Sequence, residues 1–211
     1  MTSVQQTTND STFASQCLGE FLTRVLKVDP HPAVLDLGVL CGANIAFLGE
    51  KGCRVSVESL PSGPIRKDGA SAEALSLGPG GAKLPTSPLK YPPGSFSGVL
   101  AWDAIARMPL QQATPFAEIL RSLLLDGGVI LAHFPGAAGR PGAPAGRYRI
   151  LGDDRLKLEP TDMRLLASSQ PPYQNREIYM LFSRFEIVRL SQLKSGTREV
   201  LVARPRLSGR S

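Results

Sequence analysis

Apolar positions along this chain recur at two periods, one helical and one extended, and they alternate in blocks. From Ser11 to Lys27, Phe13, Cys17, Leu18, Phe21, Leu22, Val25 and Leu26 fall at helical spacing, predicting an amphipathic helix with Ser11 able to cap its first turn. Asp29-Pro30-His31-Pro32 stops it, because the residue before a proline is pushed out of the helical region. Ala33–Leu37 then reads as a first strand, Asn44–Lys51 as a second helix ending at Gly52, and Arg54–Glu58 as a second strand.

The pattern is interrupted over residues 61–95, where glycine and proline are too dense for a long regular element, so a third strand is short and at the sheet edge, or missing. Order resumes with Gly98–Trp102 as a buried strand. Thr114-Pro115 reads as N-cap and first residue of a helix running to Asp126-Gly127-Gly128, and Val129–Phe134 is another apolar strand. Tyr148–Leu151 and Arg155–Glu159 alternate around Gly152-Asp-Asp as a hairpin. Asn175 can cap a helix carrying Ile178, Leu181, Phe182 and Phe185, and Glu186–Leu190 with Glu199–Ala203 forms a closing antiparallel pair around Ser195-Gly196. This order predicts an α/β fold: a Rossmann-like, mostly parallel seven-stranded sheet, its third strand short or missing, with helices on both faces and a C-terminal antiparallel hairpin.

Composition narrows the class. The 211 residues suffice for one α/β domain, expected over 11–204 between a flexible N-terminus (1–10) and a flexible basic tail (205–211). No apolar run approaches the roughly 20 residues needed to span a bilayer, and Met1–Asp10 has no export pattern, so a cytoplasmic protein without membrane partners is expected. The three cysteines, Cys17, Cys41 and Cys53, form no C-x-x-C pair; they read as reduced small hydrophobes, and no metal site is expected. The net charge of +6 could attract nucleic acid, but the arginines are scattered through loops and the tail without interleaved aromatics, so nucleic acid is not the expected partner.

The candidate chemistry lies at the carboxyl ends of the strands, where ligands collect in a parallel sheet. Gly38 can turn the chain off the first strand, Gly42 allows close approach, and Glu58 follows Gly38 by 20 positions, where a carboxylate can accept both hydroxyl protons of a ribose. Asp36, Asp103 and His133 share that rim, whereas His31 falls at the opposite end.

Val34–Glu58, the run Ser95-Phe-Ser-Gly-Val-Leu-Ala-Trp-Asp103 with Ala104–Pro109, and Phe116–Phe134 together make the chain similar to the class I S-adenosylmethionine-dependent methyltransferases, of the methyltransferase type 11-like kind. The resemblance implies S-adenosylmethionine as cofactor, held by Asp36, Gly38, Gly42, Glu58 and Trp102. It implies methyl transfer to an unidentified small-molecule acceptor, with Asp103 and His133 as catalytic candidates. Arg147 and Arg149 are candidates to hold an acidic substrate or to form a solvated hairpin face. The chain departs from the family's D-x-G-x-G-x-G: either Leu40 replaces the middle glycine, its Cβ blocking the cofactor, or the loop is lengthened around it. A second reading therefore stands beside the first, a catalytically silent fold serving as a binding or regulatory module. A dinucleotide dehydrogenase is disfavoured by the lack of G-x-G-x-x-G.

Overall fold

The computed structural model describes residues 12–58, 89–136, 146–160 and 171–206, and among these described residues nine strands and four α-helices are built from these blocks. In chain order they are β1 (Thr12–Ala14), α1 (Gln16–Val28), β2 (Ala33–Asp36), α2 (Gly42–Glu50), β3 (Arg54–Val57), β4 (Phe96–Trp102), α3 (Leu110–Leu123), β5 (Leu124–Phe134), β6 (Gly146–Gly152), β7 (Arg155–Pro160), α4 (Asn175–Leu181), β8 (Glu186–Gln192) and β9 (Arg198–Ala203). The main sheet has the order β3-β2-β4-β5-β9-β8. Strands β3, β2, β4 and β5 pair in parallel, and β9 runs antiparallel between β5 and β8.

Six strands, not seven, form this sheet among the described residues. The position expected for a third strand lies mostly within 59–88, outside the described residues. The expected flexible N-terminus, 1–10, and residues 207–211 of the expected tail, 205–211, also lie outside them.

The hairpin predicted over Tyr148–Glu159 forms, but it does not extend the main sheet. β6 and β7 pair with β1 in a separate antiparallel sheet of order β1-β7-β6. That pairing corrects the first helix. Thr12–Ala14 is drawn into a strand, so the cap is Ser15 instead of Ser11, its hydroxyl accepting the Leu18 N–H at 3.1 Å.

Two further boundaries move. α3 begins at Leu110, four residues before Thr114, because the Pro109 carbonyl accepts the N–H groups of Gln112 and Ala113 at 2.8 and 2.9 Å. Pro115 sits inside the helix, and the Thr114 hydroxyl donates to the Leu110 carbonyl at 2.9 Å instead of capping. At the other end, Asp126-Gly127-Gly128 belongs to β5: the Gly127 N–H donates to the Arg204 carbonyl and the Arg204 N–H to the Gly128 carbonyl, pulling the turn into the sheet. α4 is capped by Gln174, reciprocally with Glu177, and Asn175 is its first residue.

Period-two alternation divides the sheet side chains between two faces. Leu35, Val99, Ala101, Ile130, Ala132, Phe134, Val200 and Val202 pack beneath α3 and α4. Val34, Leu100, Trp102, Val129, Leu131 and Leu201 pack beneath α1, α2 and the small sheet. Gly98 sets the depth of α1, since a Cβ there would lie 2.5 Å from Val25 Cγ2 and 2.7 Å from Phe21 Cζ. The helix therefore rests directly on the backbone of β4.

Candidate functional site

The carboxyl ends of β2, β3, β4 and β5 bring Asp36, Glu58, Trp102, Asp103 and His133 to one rim. His31 is exposed at the other end, where its N–H donates to Asp29. A groove of about 440 Å³ at that far end is lined by Val28, Gly94, Leu124 and the ion-paired Asp126 and Arg204, away from every rim residue.

Asp36 is buried at the end of β2 and gathers its surroundings through one oxygen. Its Oδ1 accepts the Gly38 N–H at 2.8 Å and the Trp102 indole N–H at 2.6 Å. Burial raises its carboxyl above the ordinary value, against the lowering effect of hydrogen bonds from the Gly38 backbone, Trp102 and Asn44. The Gly38 backbone lies under the indole: a Cβ there would stand 2.6 Å from Trp102 Cδ1 and 2.8 Å from Nε1.

The sequence leaves Leu40 either in the place of the middle glycine or within a lengthened loop. The Leu40 side chain is 59% exposed, whereas the atoms nearest the bare face of Gly38 belong to Trp102 and Asp36. Gly42 opens α2, and a Cβ there would meet nothing within 4 Å.

Glu58 follows β3 directly. Its N–H donates to the Asp36 carbonyl and its Oε1 accepts the Tyr91 hydroxyl, both at 2.9 Å, leaving a half-buried carboxylate with further acceptor capacity beside the Gly38 loop. Asp103, just beyond β4, is ion-paired with Arg107 four residues on.

His133 and Trp102 are joined by a residue the sequence does not single out for chemistry. Tyr148 of β6 stacks on Trp102, with centroids 5.1 Å apart and planes at 5°, and on His133 at 4.6 Å. Burial drives the Tyr148 phenol pKa upward. Asn44 clips β6 in place: its Nδ2 donates to the Tyr148 carbonyl at 2.9 Å and its Oδ1 accepts the Ile150 N–H at 2.8 Å. His133 Nε2 lies 3.0 Å from Glu199 Oε1 across the β5–β9 pair, and both side chains are buried. Among the described residues, His133 Nδ1 and Glu199 Oε2 have no hydrogen-bond partner.

Asp36, Trp102, His133 and Glu199 thus form a polar row across one face of the sheet, with Tyr148 packed over its middle. Arg147 and Arg149 converge on Glu159 instead, at 2.6 and 3.4 Å, so the hairpin arginines are engaged within their own sheet. Of these partners, Glu199 had a visible signal, a carboxylate heading the apolar run Val200–Ala203. Asn44 had none, since it bonds backbone groups more than a hundred positions away. The described residues contain no cluster of three or more His, Cys, Asp or Glu placed to hold a metal ion, and no helix long and apolar enough to cross a membrane.

No protein-family model matches the chain, and no curated protein matches it. Among solved structures it is similar to a chain of the complex between the Haloferax volcanii Trm112 methyltransferase activator and the putative methyltransferase, with 10% identity over 89% of this chain and 88% of that one and a TM-score of 0.50. It is also similar to 1,6-didemethyltoxoflavin-N1-methyltransferase from Burkholderia thailandensis, with 15% identity, 90% and 79% coverage and a TM-score of 0.47. A Pyrococcus horikoshii protein aligns at 12% identity, 88% coverage of each chain and a TM-score of 0.48. The first of these identifies the architecture: the fold is that of the class I S-adenosylmethionine-dependent methyltransferases.

Proposed function

We propose that the protein is an S-adenosylmethionine-dependent methyltransferase acting on a small-molecule acceptor. The observation that carries this reading is Glu58, a carboxylate at the end of β3 steadied by Tyr91 and standing beside the Gly38 loop. It can receive the two hydroxyl protons of a ribose, and the open space at Gly42 leaves room for a ligand against the start of α2. S-adenosylmethionine supplies an electrophilic methyl group on a sulfonium. The solved Burkholderia thailandensis relative in fold carries S-adenosylhomocysteine.

Transfer from a sulfonium depends chiefly on holding the acceptor in line, so the protein's task is positioning. Asp103, ion-paired with Arg107, orients the acceptor in this reading. His133 is buried and engaged by Glu199, so its role in this reading is to brace Tyr148, not to take the acceptor's proton.

One observation favours the second reading, a silent fold used as a binding module: the Trp102 indole lies on Gly38. Calorimetric titration with S-adenosylhomocysteine separates the two. Binding by the wild-type protein that weakens about 10- to 100-fold in Glu58→Ala, the scale of hydrogen bonds to a charged group, supports methyl transfer. No heat at millimolar ligand, from the wild type or from Trp102 variants, leaves the silent fold.

A further inference from the structure

Trp102 has a conformation that its side chain makes costly. It ends β4 with φ +46°, the only described residue other than glycine in the left-handed region, and bulky residues avoid that region because Cβ crowds the backbone. Such a conformation persists only where surrounding contacts over-determine it, and here three do. The indole N–H is bound by Asp36 at 2.6 Å, the ring edge rests on the bare backbone of Gly38, and Tyr148 covers the ring at 5.1 Å. Tyr148 is itself tethered, because Asn44 bonds the backbone of β6 on both sides of Arg149. The result is a ring only 2% exposed, lying against the backbone of Gly38.

We propose that the Trp102 indole is a gate over Gly38: it closes the cofactor bed by its bond to Asp36, and cofactor binding requires it to swing out from beneath Tyr148. This rests on the cofactor reading above. The same Asp36 oxygen holds both the Gly38 N–H and the indole, so the loop and the gate are coupled through one buried acceptor. Opening withdraws a donor from that acceptor and breaks the aromatic stack, but it also removes the contacts that hold the backbone at its costly φ and so lets that backbone relax. Closed and open states can therefore lie close in free energy, as a gate requires. The apparent affinity is the intrinsic affinity reduced by the fraction of molecules already open, so a chain closed nine-tenths of the time binds about tenfold more weakly than one held open.

Trp102 is the only tryptophan of the chain, so its emission reports the gate directly. Titration of the wild-type protein with S-adenosylhomocysteine, followed in parallel by tryptophan emission and calorimetry, is expected to shift the emission to longer wavelength with the calorimetric midpoint. Trp102→Gly removes the ring and suits the left-handed backbone, and it is expected to bind about tenfold more tightly. Trp102→Phe, which keeps an aromatic ring but lacks the N–H, is expected to fall between the two and serves if the glycine variant does not fold. Binding by a variant alone, with none by the wild type, also supports the gate. Wild-type heat without an emission shift, or variants binding no more tightly than the wild type, overturns the gate and leaves the cofactor reading standing. No binding by the wild type or by either variant overturns both.

Discussion

The two faces of the central sheet are buried to the same depth but built on different terms. Beneath α3 and α4 the contacts are apolar, with Phe134, Tyr173, Phe182 and Phe185 meeting edge to face at centroid distances of 5.4 to 6.1 Å. Beneath α1, α2 and the small sheet, the row at the carboxyl ends is polar, and the rings of Trp102, Tyr148 and His133 lie nearly parallel. Apolar burial stabilises without requiring a particular partner. A buried carboxylate or imidazole is tolerated only when matched, so each one on the second face commits a specific neighbour: Asp36 to Trp102, His133 to Glu199. The first face holds the domain together, and the second holds a particular arrangement at the rim.

Truncation on the apolar face should have the largest effect. Phe134→Ala removes a fully buried ring between α4 and the sheet and should cost about 4 kcal/mol in denaturant unfolding, the range for buried phenylalanines. A loss below about 1 kcal/mol would break the contrast, because this face would then not be tightly packed.

Glu199→Ala should cost less, about 2 kcal/mol, by leaving the buried His133 without its hydrogen-bond partner. The sharper measurement is the double variant His133→Leu with Glu199→Leu, which should be less destabilised than the sum of His133→Leu and Glu199→Leu alone, since replacing both partners of a buried hydrogen bond by apolar groups of similar shape costs little. Simple additivity of the two single changes would show that the row is not a coupled unit.

The smallest effect concerns pH. Burial raises the Asp36 carboxyl from its ordinary 3.8. A group with a raised folded pKa contributes its stability in full below the unfolded value and loses it as pH rises through the folded one. Melting temperatures of wild type and Asp36→Asn, compared from about pH 7 to about pH 4, should therefore move in the wild type's favour as pH falls. Equal pH dependence of the two would refute a raised Asp36.

What could be read without the fold is local. The α1 stripe, the strands at Ala33, Arg54, Gly98 and Val129 and the closing hairpin each repeat within a few residues, because helix and strand periodicity act over one or two turns of chain. The rim position of Glu58 was legible for the same reason, since a single strand–helix–strand unit carries Gly38 and Glu58 to neighbouring strand ends. Boundaries slipped where a distant strand competed: β7 claimed Thr12–Ala14 from the first helix, and the carbonyl of Arg204 claimed Gly127 from a helical end.

The amino-acid sequence by itself determined an α/β fold, the order of its four helices and of the strands after β1, and the rim on which its carboxylates gather, because each follows from periodicity and short spacings. Only the tertiary structure decided that Trp102 lies on Gly38, that Asn44 fastens β6 over the rim, and that His133 faces Glu199. Those partners are 64 or more positions apart, and a side chain's choice among distant partners depends on which strands pair and which face each residue takes. Nothing in the residues on either side of it records that choice.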